Sequence, residues 1–233
     1  MSDPCAPKPP MRQIRSYVRR EGRITVAQRR ALADLWPRFG VADSGLRLDL
    51  PALFGRDAPV ILEIGFGDGQ SLCATAAANP GRNYLGVEIH RPGVGRLLRT
   101  LEAQGIENVR VICEDARAVV ANRLQEDQLH GVHLFFPDPW PKARHHKRRL
   151  LQTDFLEILR PRLIIGGYLH AVTDWEPYAQ HMMTVMSQVR EFENSAGPGQ
   201  FAPRPQDRPL TKFERRGHRL GHGVWELIFR RLA

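Results

Sequence analysis

Four carboxylates pose the chemical question. Glu63, Glu88, Asp115 and Asp138 each stand at or near the end of an apolar run: VILEIG, NYLGVEI, NVRVICED and GVHLFFPD. One acid at a strand terminus is ordinarily a solvated residue. Four in succession would gather acceptor oxygens at one sheet edge, where a ligand rich in donors, such as a ribose diol, could be held. The last run continues through Asp138-Pro139-Trp140-Pro141 into Lys142, Arg144, His145, His146, Lys147, Arg148 and Arg149. A strand, a proline turn and a solvated helix start would explain that composition. So would the lip of an active site for a polyanion, with a carboxylate and a ring on one side and phosphate-binding cations on the other. No Ser/His/Asp or Cys/His constellation accompanies these residues. His145 and His146 are adjacent and lack the spacing of a helical metal pair, so no metal is expected.

The first acid opens EIGFGDG. Gly65, Gly67 and Gly69 allow a tight turn and a close backbone approach to a ligand. A dinucleotide fingerprint wants glycine or alanine three places after Gly67, and Gln70 stands there, which weakens a nicotinamide reading. Glu88 follows Gly69 by 19 residues, a distance at which open α/β sheets place a carboxylate on ribose hydroxyls.

The elements that must position these groups alternate. Apolar β-branched runs at 60–65, 83–89, 108–115, 131–138 and 166–174 are separated by helical patterns, which predicts βαβ units and a mostly parallel central sheet with helices on both faces. Before them, VAQRRALADLW predicts a helix capped by Thr25 and ended by Pro37. After Arg190, the Gly/Pro-rich SAGPGQFAPRPQDRP leads to a last strand, VWELIFRR, expected to form an antiparallel edge. Residues 1–24 read as a basic arm, disordered over the proline-rich first dozen, and residues 25–233 as a single α/β domain.

A chain of 233 residues with 42% hydrophobic content can bury a real core, and it holds no run of 18 apolar residues that would span a membrane. The N-terminus lacks the apolar stretch of a secretory signal. Cys5, Cys73 and Cys113 are few and distant, which fits a reducing compartment such as the cytoplasm. Charge placement is more telling. Residues 1–30, 142–149 and 204–231 carry +6, +5 and +5 of a chain whose total is only +9, so the remainder is acidic at −7. Basic edges on an acidic body are the footprint of a nucleic-acid binder.

With these features in place, the chain resembles the tRNA (guanine-N7)-methyltransferase family of S-adenosylmethionine-dependent enzymes. The resemblance rests on the acid-x-Gly-x-Gly-x-Gly motif, the F-x-D-P-W-x-K segment with its basic continuation, RSYVRREGRIT, LWPRFG, Thr173-Asp174, TKFERRG and GHGVWEL. It implies a Rossmann-like class I methyltransferase fold that uses S-adenosylmethionine, with tRNA as substrate and no obligatory protein partner. The product would be N7-methylguanosine, at position 46 of the tRNA variable loop. It further implies cofactor binding by Glu63, Gly65, Gly67, Gly69, Glu88, Asp115 and Asp138, with Asp138 also the active-site residue. Lys142, Asp174, Thr211, Lys212, Phe213 and Glu214 match substrate-binding positions, and Arg144, His145, His146, Lys147, Arg148 and Arg149 match an RNA-contacting stretch. Trp140 would stack on the guanine or pack in the core. Two other readings remain open: an exocyclic-amine methyltransferase acting on RNA or a small molecule, and a non-catalytic RNA-binding protein.

Overall fold

The computed structural model describes residues 16–17, 23–211, 214 and 223–233. Its first helix, α1 (Val26–Asp34), begins at a reciprocal cap: the Thr25 hydroxyl accepts from the Gln28 amide, and the Gln28 side chain accepts from the Thr25 amide. The helix stops at Leu35, and Pro37 does not end it. That proline lies in the first turn of a short second helix, α2 (Trp36–Phe39), where a missing N–H loses no helical bond.

Seven strands follow: β1 (Val60–Ile64), β2 (Asn83–Val87), β3 (Val109–Ile112), β4 (Leu129–Phe135), β5 (Leu163–Thr173), β6 (Phe192–Asn194) and β7 (Trp225–Arg231). They form one sheet in the order β3-β2-β1-β4-β5-β7-β6. The first five run parallel, and β7 is antiparallel to both β5 and β6, which bears out the expected antiparallel edge. Strand order reverses between β1 and β4. Open α/β sheets bind ligands at the carboxyl ends of the strands flanking such a switch.

The remaining helices are α3 (Leu50–Phe54), α4 (Gln70–Ala78), α5 (Arg91–Gln104), α6 (Ala116–Asn122), α7 (Thr153–Leu159) and α8 (Glu176–Ser187). α7 ends at Leu159, and Arg160–Arg162 tighten into a 3-10 turn that feeds β5. Among the described residues no helix is long and apolar enough to cross a membrane.

Two apolar layers clothe the sheet. Leu62, Ile64, Val132, Leu134, Leu169 and Ala171 face α6, α7 and α8, whereas Ile61, Tyr84, Val109 and Val111 meet α1, α2, α4 and α5. Leu97, Leu98 and Leu101 form the buried stripe of α5, each worth about 2 kcal/mol of transfer free energy. On the face opposite α7 and α8, the β4-β5-β7 half differs. Glu63, His133 and His170 lie side by side in register across β1, β4 and β5, and Tyr168 and Glu226 extend a polar row onto the outer strands. The chain from 201 to 211 lies over this row: Ala202 bridges Glu226, and Arg208 reaches it with its side chain.

Candidate active site

The glycine loop joins β1 to α4 with Gly65, Gly67 and Gly69 at φ 73°, 60° and 76°. These left-handed values carry a steric cost for side chains with a Cβ. The loop also lies hard against α5, where a Cβ on Gly93 would sit 2.0 Å from the Gly67 carbonyl oxygen. Glu88, just past β2, fixes the loop from the other side. One of its oxygens accepts from the Gly67 amide at 2.9 Å, and the other from Ile89 and His90 at 2.7 and 2.9 Å. A carboxylate offers about four acceptor positions, so capacity remains for further donors. Asp115 caps α6, its Oδ1 accepting from the Arg117 and Ala118 amides at 2.8 and 3.2 Å. It lies three residues beyond the end of β3. Asp138 likewise lies beyond β4, in a loop whose Phe136 and Trp140 adopt φ 50° and 46°. Its Oδ1 accepts from the Trp140 amide at 3.3 Å.

Three of the four expected acids converge. Glu88, Asp115 and Asp138 line one cavity of about 430 Å³ together with Gly65, Glu114, Phe136, Ser16 and Tyr17. That volume falls in the range of small-molecule sites, and its acids follow three strands, β2, β3 and β4, with Gly65 after β1 between them. Glu63 is not among them. It is buried on β1, with Oε2 3.8 Å from His133 Nδ1, and it lines a second cavity of about 740 Å³ with Gly67, Phe135, Phe136 and Thr211. Gly65, His90 and Phe136 border both cavities.

Trp140 is 7% exposed. Its indole N–H donates to the Ser16 carbonyl at 3.3 Å, the Arg148 guanidinium lies 4.9 Å over its ring, and His145 meets it edge-on at 5.8 Å. The buried ring therefore joins the basic run to the chain at Ser16, which lines the first cavity.

The basic run forms a 3-10 helix, Ala143–Arg148. Lys142, Arg144 and Lys147 are exposed, while His145, His146 and Arg148 are partly covered. Desolvation, with the charges of Arg144, Arg148, Lys142 and Lys147, holds the His145 imidazole below its ordinary pKa. Arg149 departs from the expected RNA contact. It is 4% exposed, donates to the Pro139 carbonyl at 3.0 Å, and lies over the Tyr178 ring at 4.8 Å. It braces the loop that carries Asp138.

Of the substrate-binding positions, Asp174 is half-buried just after β5, and Thr211 stands at the rim of the second cavity. Lys212 and Phe213 lie outside the described residues. Glu214, a further substrate-binding position of the resemblance, faces Arg208. It is 0% exposed, and both its oxygens accept from Arg208. Arg208, Glu226 and His170 went unnoticed in the sequence, although a glutamate inside the apolar VWELIF run must find a partner once buried. Cys73 offers no nucleophile: burial, with Glu63 and Asp68 nearby, pushes its thiol up to about 12. Among the described residues no group of three His, Cys, Asp or Glu side chains could hold a metal ion.

Comparison with known proteins agrees with this geometry. A family model described as "Putative methyltransferase" matches residues 57–227. A tRNA (guanine-N(7)-)-methyltransferase of Aeromonas hydrophila is 54% identical over 222 residues, covering 95% of this chain and 94% of the relative. One from Klebsiella pneumoniae is 53% identical over 223 residues, 96% and 93% of the two chains. Among solved structures, the 16S rRNA methyltransferase KamB superposes with a TM-score of 0.59 at 16% identity, over 80% of this chain and 95% of that one, a likeness of fold. Identity above one half along nearly the entire length of both chains means that this protein belongs to the tRNA (guanine-N(7)-)-methyltransferase family.

Proposed function

We propose that this chain methylates N7 of a guanine in tRNA, position 46 of the variable loop by family resemblance, with S-adenosylmethionine as the methyl donor. The observation that carries the reading is the convergence of Glu88, Asp115 and Asp138 on one cavity beside the glycine loop, with the basic run joined to its lining through Trp140. The cavity suits the donor. Glu88 and Asp115 would accept from its ribose and adenine ends, and Gly65 and Gly67, with nothing within 4 Å of where a Cβ would stand, leave room for its amino-acid portion. Bound there, S-adenosylmethionine supplies a methyl group on a sulfonium, and transfer leaves the electron pair of the broken C–S bond on a neutral thioether.

The chain's own residues have a limited task. Guanine N7 carries an in-plane lone pair and no proton at neutral pH, so no side chain must act as general base. Positioning accounts for most of the acceleration. Positive charge reaches the purine as the new N–C bond forms, and the fixed Asp138 carboxylate stabilises it while accepting from the base's N1–H or amine. Lys142, Arg144 and Lys147 hold phosphates, which fixes the approach of the RNA. Residues 25–233 act as one catalytic unit in the cytoplasm.

Replacing Asp138 with alanine tests the assignment. Methylation should fall by about a hundred- to a thousandfold, with tRNA affinity retained. Activity within about tenfold of the parent removes Asp138 from the mechanism.

A further inference from the structure

Two buried polar atoms meet on the polar half-face of the sheet with no hydrogen-bond partner among the described residues: Glu63 Oε2 on β1 and His133 Nδ1 on β4. They stand 3.8 Å apart. Glu63 and His133 are register partners, so the sheet itself sets this approach. On its far side the imidazole meets Tyr168 of β5, with Nε2 3.0 Å from the phenol oxygen. Phe135 stacks on the same imidazole at 4.8 Å, 21° from parallel, which fixes the plane of the ring. Tyr168 reaches His133 diagonally, because its own register partner is Gly131. A Cβ on Gly131 would stand 2.5 Å from Tyr168 Cζ and 2.9 Å from its hydroxyl oxygen, so glycine lets the phenol lie in this place. Glu63 borders the cavity of about 740 Å³ beside the glycine loop. His133 and Tyr168 border another, of about 210 Å³.

We propose that Tyr168 and His133 are positioning residues that hold the Glu63 carboxylate toward the glycine-loop cavity for S-adenosylmethionine, Tyr168 donating to His133 Nε2 and the Nδ1–H pointing at Glu63. The inference rests on the proposed function and deepens it, by assigning the residues that stand behind the donor site. Both ends of the chain fix its direction. A carboxylate only accepts. The phenol stays protonated, since burial pushes it up to about 12, and a buried O–H needs an acceptor. His133 Nε2 is the ring nitrogen it meets. The opposite tautomer would turn the Nδ1 lone pair toward the carboxylate and set two buried acceptors against each other, which is the costly arrangement. A separation of 3.8 Å is longer than a direct hydrogen bond. Hydrogen bonds of active sites are often long in the free protein and tighten once the ligand is bound, and the Nδ1–H is in place for Glu63 to close on it.

Three variants separate positioning from packing. His133→Leu removes both ring nitrogens. His133→Gln keeps one N–H donor for Glu63 and one carbonyl acceptor for Tyr168. Tyr168→Phe removes a single oxygen and keeps the ring over Gly131. Each is compared with the parent by equilibrium binding of S-adenosylmethionine. Nitrogen NMR on the full chain, with isotope-labelled histidine, reads which nitrogen of His133 carries the proton, and His133→Gln identifies the signal. Donor affinity should fall about tenfold in His133→Leu and about two- to tenfold in Tyr168→Phe, the worth of the hydrogen bonds removed. His133→Gln should stay within about threefold of the parent, a rescue that loss of packing would not give. In the parent, the proton should sit on Nδ1 and not on Nε2. Unchanged affinity in His133→Leu, a Gln variant as impaired as the Leu variant, or a proton on Nε2 in the parent each overturns the proposal. Should His133→Leu fail to fold, Tyr168→Phe decides, and parent-like affinity there overturns it. A parent that binds no S-adenosylmethionine defeats the functional reading separately, and the NMR signal then still decides whether Tyr168 and His133 are linked in the stated direction.

Discussion

The two halves of the sheet solve opposite problems. Around β1, β2 and β3 both faces are covered by helices, the core is apolar, and the acids that matter stand just past the strand ends. Around β4, β5 and β7 one face is apolar against α8, while the other carries His133, Tyr168, His170 and Glu226 under a Pro-rich stretch of chain. The first half is built from local motifs, a glycine loop and caps. The second is held by buried charges that come from distant parts of the sequence. A small ligand of fixed shape suits a rigid, locally encoded cradle. The extended stretch 201–211 lacks the internal hydrogen bonds of a helix and is anchored through the Arg208 side chain.

The contrast can be broken at its strongest point first. Glu88→Ala removes the carboxylate that accepts from Gly67, Ile89 and His90. Affinity for S-adenosylmethionine should drop by about 10- to 100-fold, the worth of charge-assisted hydrogen bonds, with tRNA affinity unchanged by filter binding. Loss of tRNA affinity in the same variant would mean that the two halves are not separate.

The basic run sharpens the comparison next. Changing Arg144, Lys147 and Lys142 together to alanine should weaken tRNA binding and reduce the salt slope by about two to three units, one per phosphate contact. Arg149→Ala should behave differently despite its neighbouring position. It should lower Tm by several degrees, because it empties the brace between Pro139 and Tyr178, and leave the slope alone. A slope change with Arg149→Ala would restore the phosphate role that its burial denies.

The smallest effect concerns pH. Burial pushes the Glu214 carboxyl up, but hydrogen bonds from Arg208 and Thr211 outweigh it, so its net pKa lies below the ordinary value of 4.5. A depressed carboxyl contributes stability above its unfolded-state pKa and loses that contribution as pH falls through the folded-state value. Thermal melts between about pH 6 and pH 3 should therefore show a steeper acid loss for the parent than for Glu214→Gln, by a few degrees. Parallel acid limbs would show that the Arg208 pairing is not maintained in solution.

What the sequence made legible follows the same division. Strand–helix alternation, the glycine loop, the Thr25 cap and the acids at 88, 115 and 138 are local signals, and the structure places them as read. Pro37 misled because a proline marks the first turn of a new helix as readily as the end of an old one. Arg149 looked like its cationic neighbours, and only the packing against Tyr178, 29 residues away, distinguishes it. Glu214 was visible as part of TKFE, yet its partner Arg208 and the strand beyond are joined by tertiary contacts that no periodicity announces. The Thr-x-x-Glu spacing at 211–214 is itself a capping-box signature, a local clue that its carboxylate points back to the backbone.

The central claim is the identity of the acceptor atom, and a single assay addresses it. Purified protein is incubated with methyl-labelled S-adenosylmethionine and unmodified tRNA, and the RNA is digested to nucleosides and resolved. The label should appear in N7-methylguanosine. Label in an N2-methylated guanosine, or tRNA bound without any transfer, would contradict the account.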